Sequence, residues 1–258
     1  MYIILLLTFS LTVFAESTVR LYKKGIGPDS LPSRDIYVYL PDGYEKSHLS
    51  YPVLYMHDGQ NLFDPTRAFL GQTWKTKETL DTLISKKIIR PLIVVAIDNT
   101  PSRMSEYAPE KDGIKYLDFI SFKLKSMIDR DFRTIKNRDL TGIMGSSLGG
   151  LISLQAGMSH FHTFGLIGAL SPSIWYNDKS IVTAYQMTQF LPLNVYLDSG
   201  TEGGENADDV WELARTLEQR RISPKVIIQQ GAGHSERFWA QRFPEALIFL
   251  YSERAFAF

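Results

Sequence analysis

The residues of this chain whose types and spacing could do chemistry begin with Gly145-Ser146-Ser147-Leu148-Gly149, followed by Gly150. The apolar run Leu140–Met144 leads into this segment, and the helix-forming stretch Leu151–Ala156 follows it. A serine on a sharp turn between strand and helix is the setting of a nucleophile elbow, where the hydroxyl stands clear of the carboxyl ends of the strands. The turn strains the backbone, so the residues two before and two after must lack bulk where strand and helix close together. Ser146 competes for the role, but only Ser147 has glycines at both offsets. The Leu148 N–H, at the positive end of the following helix, is placed to hold a developing oxyanion. The bland alternative is a glycine-rich turn with no chemistry.

A serine hydroxyl needs a base to take its proton. The histidines are His48, His57, His160, His162 and His234. Enzymes with such an elbow run serine, acid, histidine along the chain, with the base on a loop after a late strand. His160 and His162 come too soon after the elbow helix, whereas His234 sits in the loop Gly231–Glu236 after the strand-like run Lys225–Gln229. The acid, which orients the imidazole and stabilises its protonated form, is expected in Asp198–Glu205 after the run Leu193–Leu197. Glu202, in the loop proper, is our reading. Asp198 at the strand end and Glu205 remain open, and Asp208 and Asp209 read as the first turn of a helix, where acids are favoured anyway. A second oxyanion N–H is expected from the loop His57–Asp64, where Gly59 permits close backbone approach and Gln60 supplies the donor. His57 and Asp58 have no further metal-type cluster beside them, so neither a metal nor another cofactor is read.

The elements that must hold these residues alternate. Arg34–Leu40, Pro52–Met56, Pro91–Ile97, Leu140–Met144, Phe164–Leu170, Leu193–Leu197 and Lys225–Gln229 read as strands, several of them covered on both faces. Helical stripes lie between them. They are Leu80, Leu83 and Ile84; Tyr116, Phe119, Ile120, Leu124 and Met127; Val210, Leu213, Ala214 and Leu217; and Trp239, Phe243, Ala246, Leu247 and Leu250. Strands alternating with helices imply an α/β domain, a mostly parallel sheet with helices on both faces. No repeat or linker divides it.

The 258 residues suit one large domain. Twenty-eight basic and 28 acidic residues balance, with no block of like charge, so nothing points to a nucleic-acid partner. The absence of cysteine excludes thiol nucleophiles, thiolate metal sites and iron–sulfur clusters, and is compatible with an oxidising compartment. Tyr2–Phe14 is uncharged and apolar, and Val13-Phe14-Ala15 offers small residues where a signal peptidase reads. We therefore expect residues 1–15 to be a signal peptide, 16–258 the mature domain, and the protein to be exported to a periplasm or secreted. An uncleaved N-terminal anchor or a first strand is the alternative. No later run suits a bilayer span, so stable membrane insertion after cleavage is not expected.

Leu54–Asp64 (LYMHDGQNLFD), Ile97–Tyr107 (IDNTPSRMSEY), Ile143–Gly150 (IMGSSLGG), Ser171–Trp175 (SPSIW) and Gly233–Trp239 (GHSERFW) together resemble an esterase family. That family includes esterase D, feruloyl esterases, mycolyltransferases and enterochelin esterases. The resemblance covers nearly all of residues 16–258 and looks closest to the enterochelin-esterase-like branch. It implies the α/β-hydrolase fold and carries the nucleophile onto Ser147, the base onto His234, and oxyanion donors onto Leu148 and Gln60. The acid segment departs from the pattern, since members often have a further residue between the Gly-Thr pair and the acid. The implied activity is hydrolysis of a carboxylic ester through an acyl-enzyme, on a small-molecule or glycan-linked substrate such as a siderophore-type or carbohydrate-linked acyl ester. Acyl transfer by the same residues, or a non-catalytic binding role, is the alternative. About 20 residues between the strands at 164–170 and 193–197 leave room for one helix and a minimal lid. Tyr107, Trp175 and Tyr176 are the candidates for stacking on a sugar or aromatic acyl group.

Overall fold

The computed structural model describes residues 16–189 and 191–252, so the expected signal segment lies outside the described residues. Eight strands form one sheet: β1 Thr18–Ile26, β2 Arg34–Leu40, β3 Val53–Met56, β4 Ile93–Ile97, β5 Thr141–Ser146, β6 Leu166–Leu170, β7 Asn194–Gly200 and β8 Lys225–Gln229. Their spatial order is β1-β2-β4-β3-β5-β6-β7-β8. β2 pairs antiparallel with both β1 and β4, and every later pairing is parallel. The helices are α1 Thr76–Ser85, α2 Arg103–Glu106, α3 Lys111–Asp118, α4 Lys125–Asp131, α5 Leu148–Ser159, α6 Tyr176–Met187, α7 Ala207–Gln219 and α8 Glu236–Tyr251.

The central strands read as unbroken apolar runs because both of their faces are covered. Val53 and Tyr55 of β3, with Ile93, Val95 and Ile97 of β4, pack on the side of α3, α5, α6 and α7. Leu54 and Met56, with Val94 and Ala96, point to the opposite core under α1 and α8. Helices thus lie on both sheet faces, as alternating elements require.

Two elements depart from the sequence reading. β1 has no regular apolar face, because it is an edge strand whose Arg20, Lys23 and Lys24 break the alternation and whose pairing to β2 slips twice. Between α3 and α4 the backbone passes through a π-helical stretch, Phe119–Leu124. The wider turn moves the buried stripe by one residue, so Ile128 is fully buried where the 3.6-residue period expected Met127.

Candidate active site

Ser147 sits between β5 and α5 with φ 57° and ψ −124°, a backbone conformation that residues with a side chain rarely adopt. The surroundings hold it there. Its N–H donates to the Leu170 carbonyl at 2.9 Å, and its own carbonyl accepts from the N–H groups of Leu151 and Ser173, both at 3.0 Å. The flanking glycines fill a physical need. A Cβ on Gly145 would lie 2.9 Å from the Gly149 carbonyl carbon and 2.9 Å from the His57 ring; after the serine the tight position is Gly150, whose Cβ would meet Pro172 at 3.1 Å, and not the expected Gly149, whose Cβ would make ordinary contacts at 3.4 Å. Ser146 is buried in the strand, whereas Ser147 is partly exposed, with its hydroxyl 3.3 Å from that of Ser173. Leu148 opens α5, so its N–H has no acceptor within the helix.

The loop after β3 lies close to this elbow. His57 is fully buried, with Nδ1 2.8 Å from the Tyr116 hydroxyl and Nε2 without a partner among the described residues. Desolvation pulls its pKa down to about 3, so it is a neutral packing residue under the elbow and not a base. Asp58 takes a left-handed conformation, φ 54°, and is fastened on several sides. Arg103 grips its carboxylate with two bonds, 2.7 Å from Nε and 2.9 Å from Nη2, and Asn99 adds a third at 2.6 Å. The Asp58 N–H donates to the Tyr107 hydroxyl at 3.1 Å. Gly59 lies flat on β4, since a Cβ there would be 2.8 Å from the Ile97 nitrogen. Gln60 is tied through its side-chain oxygen, which accepts from the Asn99 N–H at 3.1 Å. The loop that would present the second oxyanion donor is therefore rigidly placed.

The base and the acid come together at the ends of β7 and β8. The Ala232 carbonyl accepts from the N–H groups of Thr201 and Glu202, each at 3.0 Å, and the Gly231 N–H donates to the Thr201 hydroxyl at 3.0 Å. These bonds close the His234 loop onto the end of β7. Glu202 contributes only backbone to this contact, and its side chain is exposed. The carboxylate beside His234 belongs to Glu205, with Oε1 3.7 Å from Nδ1 and the side chain only 2% exposed. Gly203 and Gly204, with φ of 62° and 90°, turn the chain back on itself. Asn206 then caps α7 by accepting from the Asp209 N–H. The carboxylate that meets His234 is therefore not that of Glu202, the preferred reading, but that of Glu205, three residues later and one of the residues the sequence left open. Burial alone would push Glu205 up, but the neighbouring His234 imidazole and hydrogen bonds from the Ser171 and Ser199 hydroxyls outweigh it and hold the carboxyl below its ordinary range.

The aromatic candidates separate. Tyr107 is fully buried, stacked on Tyr116 with ring centres 5.3 Å apart, so it braces the Asp58 loop and offers no face to a substrate. Trp175 is 60% exposed beside the pocket that His234 and Glu205 line, with Tyr176 next to it and bonded to Glu110. Several functional partners escaped the sequence reading. Ser171, Arg242 and Arg103 meet the site from distant segments, and no local spacing marks them. Glu205 had not escaped: the sequence kept it open, and the Gly203-Gly204 pair before it and the helix cap after it were its signal.

Comparison with known proteins gives the family and the fold. A family model described as "Putative esterase" matches residues 32–250. The ferri-bacillibactin esterase BesA of Bacillus subtilis is 25% identical over 216 residues, covering 71% of this chain and 73% of that protein. Among solved structures, a ferulic acid esterase superposes with a TM-score of 0.76 at 21% identity, over 92% of this chain and 98% of its own. The enterobactin esterase FES of Shigella flexneri superposes with a TM-score of 0.74 at 20% identity, over 91% of this chain and 59% of the other.

Proposed function

From the premise that this chain belongs to the esterase family whose model spans residues 32–250, with the α/β-hydrolase fold, we propose that it is a serine hydrolase cleaving carboxylic esters through an acyl-enzyme. The observation that carries this reading is the buried Glu205 carboxylate beside His234 Nδ1, at the same end of the sheet as the strained Ser147 elbow. With Nδ1 turned to Glu205, Nε2 is the nitrogen left to take the Ser147 proton. Ser147 Oγ attacks the ester carbonyl, and the N–H groups of Leu148 and Gln60 hold the tetrahedral oxyanion. The imidazolium then gives its proton to the departing alcohol. In the second half, His234 draws a proton from water, hydroxide attacks the acyl carbon, and Ser147 leaves with its proton restored.

The substrate we favour is a bulky, soluble ester of the siderophore or carbohydrate-linked acyl type. Support comes from the exposed Trp175 at the rim, the short connection above the elbow, and relatives named for ferri-bacillibactin, ferulic acid and enterobactin. Trp175 and Tyr176 supply the stacking surface in this reading. Export follows from the apolar run at residues 2–14, and mass spectrometry of the protein recovered from outside the cytoplasm checks it: a chain starting at Glu16 is expected, and an intact Met1 removes the signal-peptide reading.

A fluorophosphonate probe tests the chemistry. Wild type should be labelled and Ser147→Ala should not, and equal labelling of both ends the proposal. An ester panel of short acyl, feruloyl, acetylated-sugar and catecholate substrates then ranks substrates, with transfer to an added alcohol followed in the same assay.

A further inference from the structure

Behind Glu205 the fold buries a cation that the reaction does not itself require. Arg242, on α8, is 3% exposed and reaches two carboxylates. Its Nε lies 3.0 Å from Asp198 Oδ1, and its Nη2 lies 3.5 Å from Glu205 Oε1. Nη1 donates to Gln229 at 3.1 Å, and Nη2 donates to the Ser171 hydroxyl at 2.7 Å. That hydroxyl also accepts from the Trp239 indole at 3.0 Å and donates its own proton to Glu205 Oε1 at 2.5 Å. Ser171 is held for this task by φ 41° and by its N–H, which bonds Asp198 Oδ1 at 2.9 Å. Two buried carboxylates therefore share one guanidinium, and only one of them touches the base.

The consequence follows from charge. The imidazolium formed on His234 during turnover is stabilised by the negative charge of Glu205. A guanidinium beyond that carboxylate draws on the same charge and makes the imidazole a weaker base; a second carboxylate on the guanidinium's other side moderates the pull. We propose that Arg242 is a positioning residue that sets the basicity of the His234–Glu205 pair, with Asp198 as the counterweight that limits its effect. This inference rests on the serine-hydrolase reading above.

The other charged groups facing the pair are accounted for. Asp209 of α7 lines the same pocket, but Lys179 holds it at 2.7 Å. Glu236, at the start of α8, accepts from Asn61 and lies near both the Asp58–Arg103 pair and His234, so its charge bears on the base directly and is the same in every variant compared below. Tyr196, on β7, bears on Asp198 and not on Glu205. Arg242 is therefore the cation in contact with the acid among the described residues. Burial pushes Asp198 up to about 6, so its counterweight operates on the part of a pH profile above that value.

The test is a pair of variants that should move in opposite directions. Arg242→Gln should carry the acid limb of kcat/KM to higher pH by about 0.5 to 1 unit, less than the roughly 1–3 units of a charge in direct contact, because the guanidinium acts on the imidazole through Glu205. Asp198→Asn should carry it to lower pH, and Arg242→Lys, which keeps the charge, should hold it near wild type. The His234 ring titration, followed by NMR in the Ser147→Ala background, should show the same order without reference to turnover. Limbs and ring titrations left at the wild-type position, with kcat alone reduced, would make Arg242 a structural brace and overturn the inference. If Arg242→Gln does not fold, the Asp198→Asn shift decides alone. Turnover retained by Ser147→Ala would instead sink the serine reading, while the ring titration still reports on Arg242.

Discussion

At the scale of single residues, the distinction between Glu205 and Glu202 has a measurable consequence. Glu205→Gln keeps the shape and removes the charge facing Nδ1, and should lower kcat by about 10³- to 10⁴-fold, as expected when an orienting carboxylate is neutralised. Glu202→Gln alters only an exposed side chain and should leave kcat within about twofold. A steady-state comparison of the two tests which acid works, and a large loss in Glu202→Gln with Glu205→Gln near wild type would return the assignment to Glu202. His57 carries a different prediction. In the folded chain it stays neutral down to about pH 3, whereas an unfolded histidine takes up a proton near pH 6.5. Between these values the unfolded chain binds the extra proton, so stability rises with pH across the window and is lost as pH falls through it, by up to about 1.4 kcal/mol per pH unit. Urea unfolding of wild type and His57→Gln from pH 7 to pH 4 should show a steeper loss in wild type. Parallel curves would mean that His57 is protonated in place.

At the scale of elements, the proposed triad depends on two loops being closed on each other. A Cβ on Gly200 would lie 2.0 Å from the Ala232 carbonyl oxygen, the atom that receives both N–H bonds from the turn after β7. Gly200→Ala should therefore part the Glu205 turn from the His234 loop, costing about 1–3 kcal/mol as an overpacked contact does. Activity at a temperature where the variant is still folded should fall further than that stability loss explains; activity that follows only the folded fraction would contradict this coupling. A second brace joins β2 to the short helix bearing Arg103: Arg34 and Glu106 pair at 2.8 Å with both side chains fully buried, and Thr100 adds a bond at 2.9 Å. Glu106→Gln should cost about 3–5 kcal/mol in urea unfolding, because it strands a buried cation. These braces mark the limit of what the sequence could tell. Seven strands and the turn at Ser147 were legible because local patterns encode them: apolar runs for strands covered twice, and glycines at fixed offsets for the turn. Glu202 was preferred over Glu205, which the sequence left open, because two consecutive glycines reverse the chain, a geometry that spacing along a loop does not express. Tyr107 was offered to substrate because an aromatic in a loop next to charged residues looks exposed, whereas its hydroxyl and ring are used to hold Asp58. The bond between Arg242 and Ser171 was unreadable, even though Ser171 opens one of the stretches that carry the resemblance, since a contact 71 residues apart leaves no local trace.

At the scale of the whole molecule, parallel strands deliver their loops to one edge of the sheet, so residues from Gln60 to His234 converge there without a second domain. The remaining question at this scale is whether anything closes over them. The one helix in the connection after β6 is α6, and it is fastened downward. Ile181, Val182 and Tyr185 are buried in the core, the Tyr185 hydroxyl donates to the Leu154 carbonyl of α5 at 2.8 Å, and Lys179 bridges to Asp209 and Glu212 of α7 at 2.7 and 2.8 Å. A helix held by core side chains and by two neighbouring helices lacks the freedom of a lid, whose opening requires a segment near the low-stability end of the fold. Ser147 should consequently be reachable by dissolved substrate at all times. With an ester of limited solubility, the rate should follow a single hyperbola in substrate concentration and should not jump when the substrate begins to form droplets or micelles. A sharp rise at the solubility limit would show that an aqueous-closed state exists, and that α6 or a neighbouring loop moves after all.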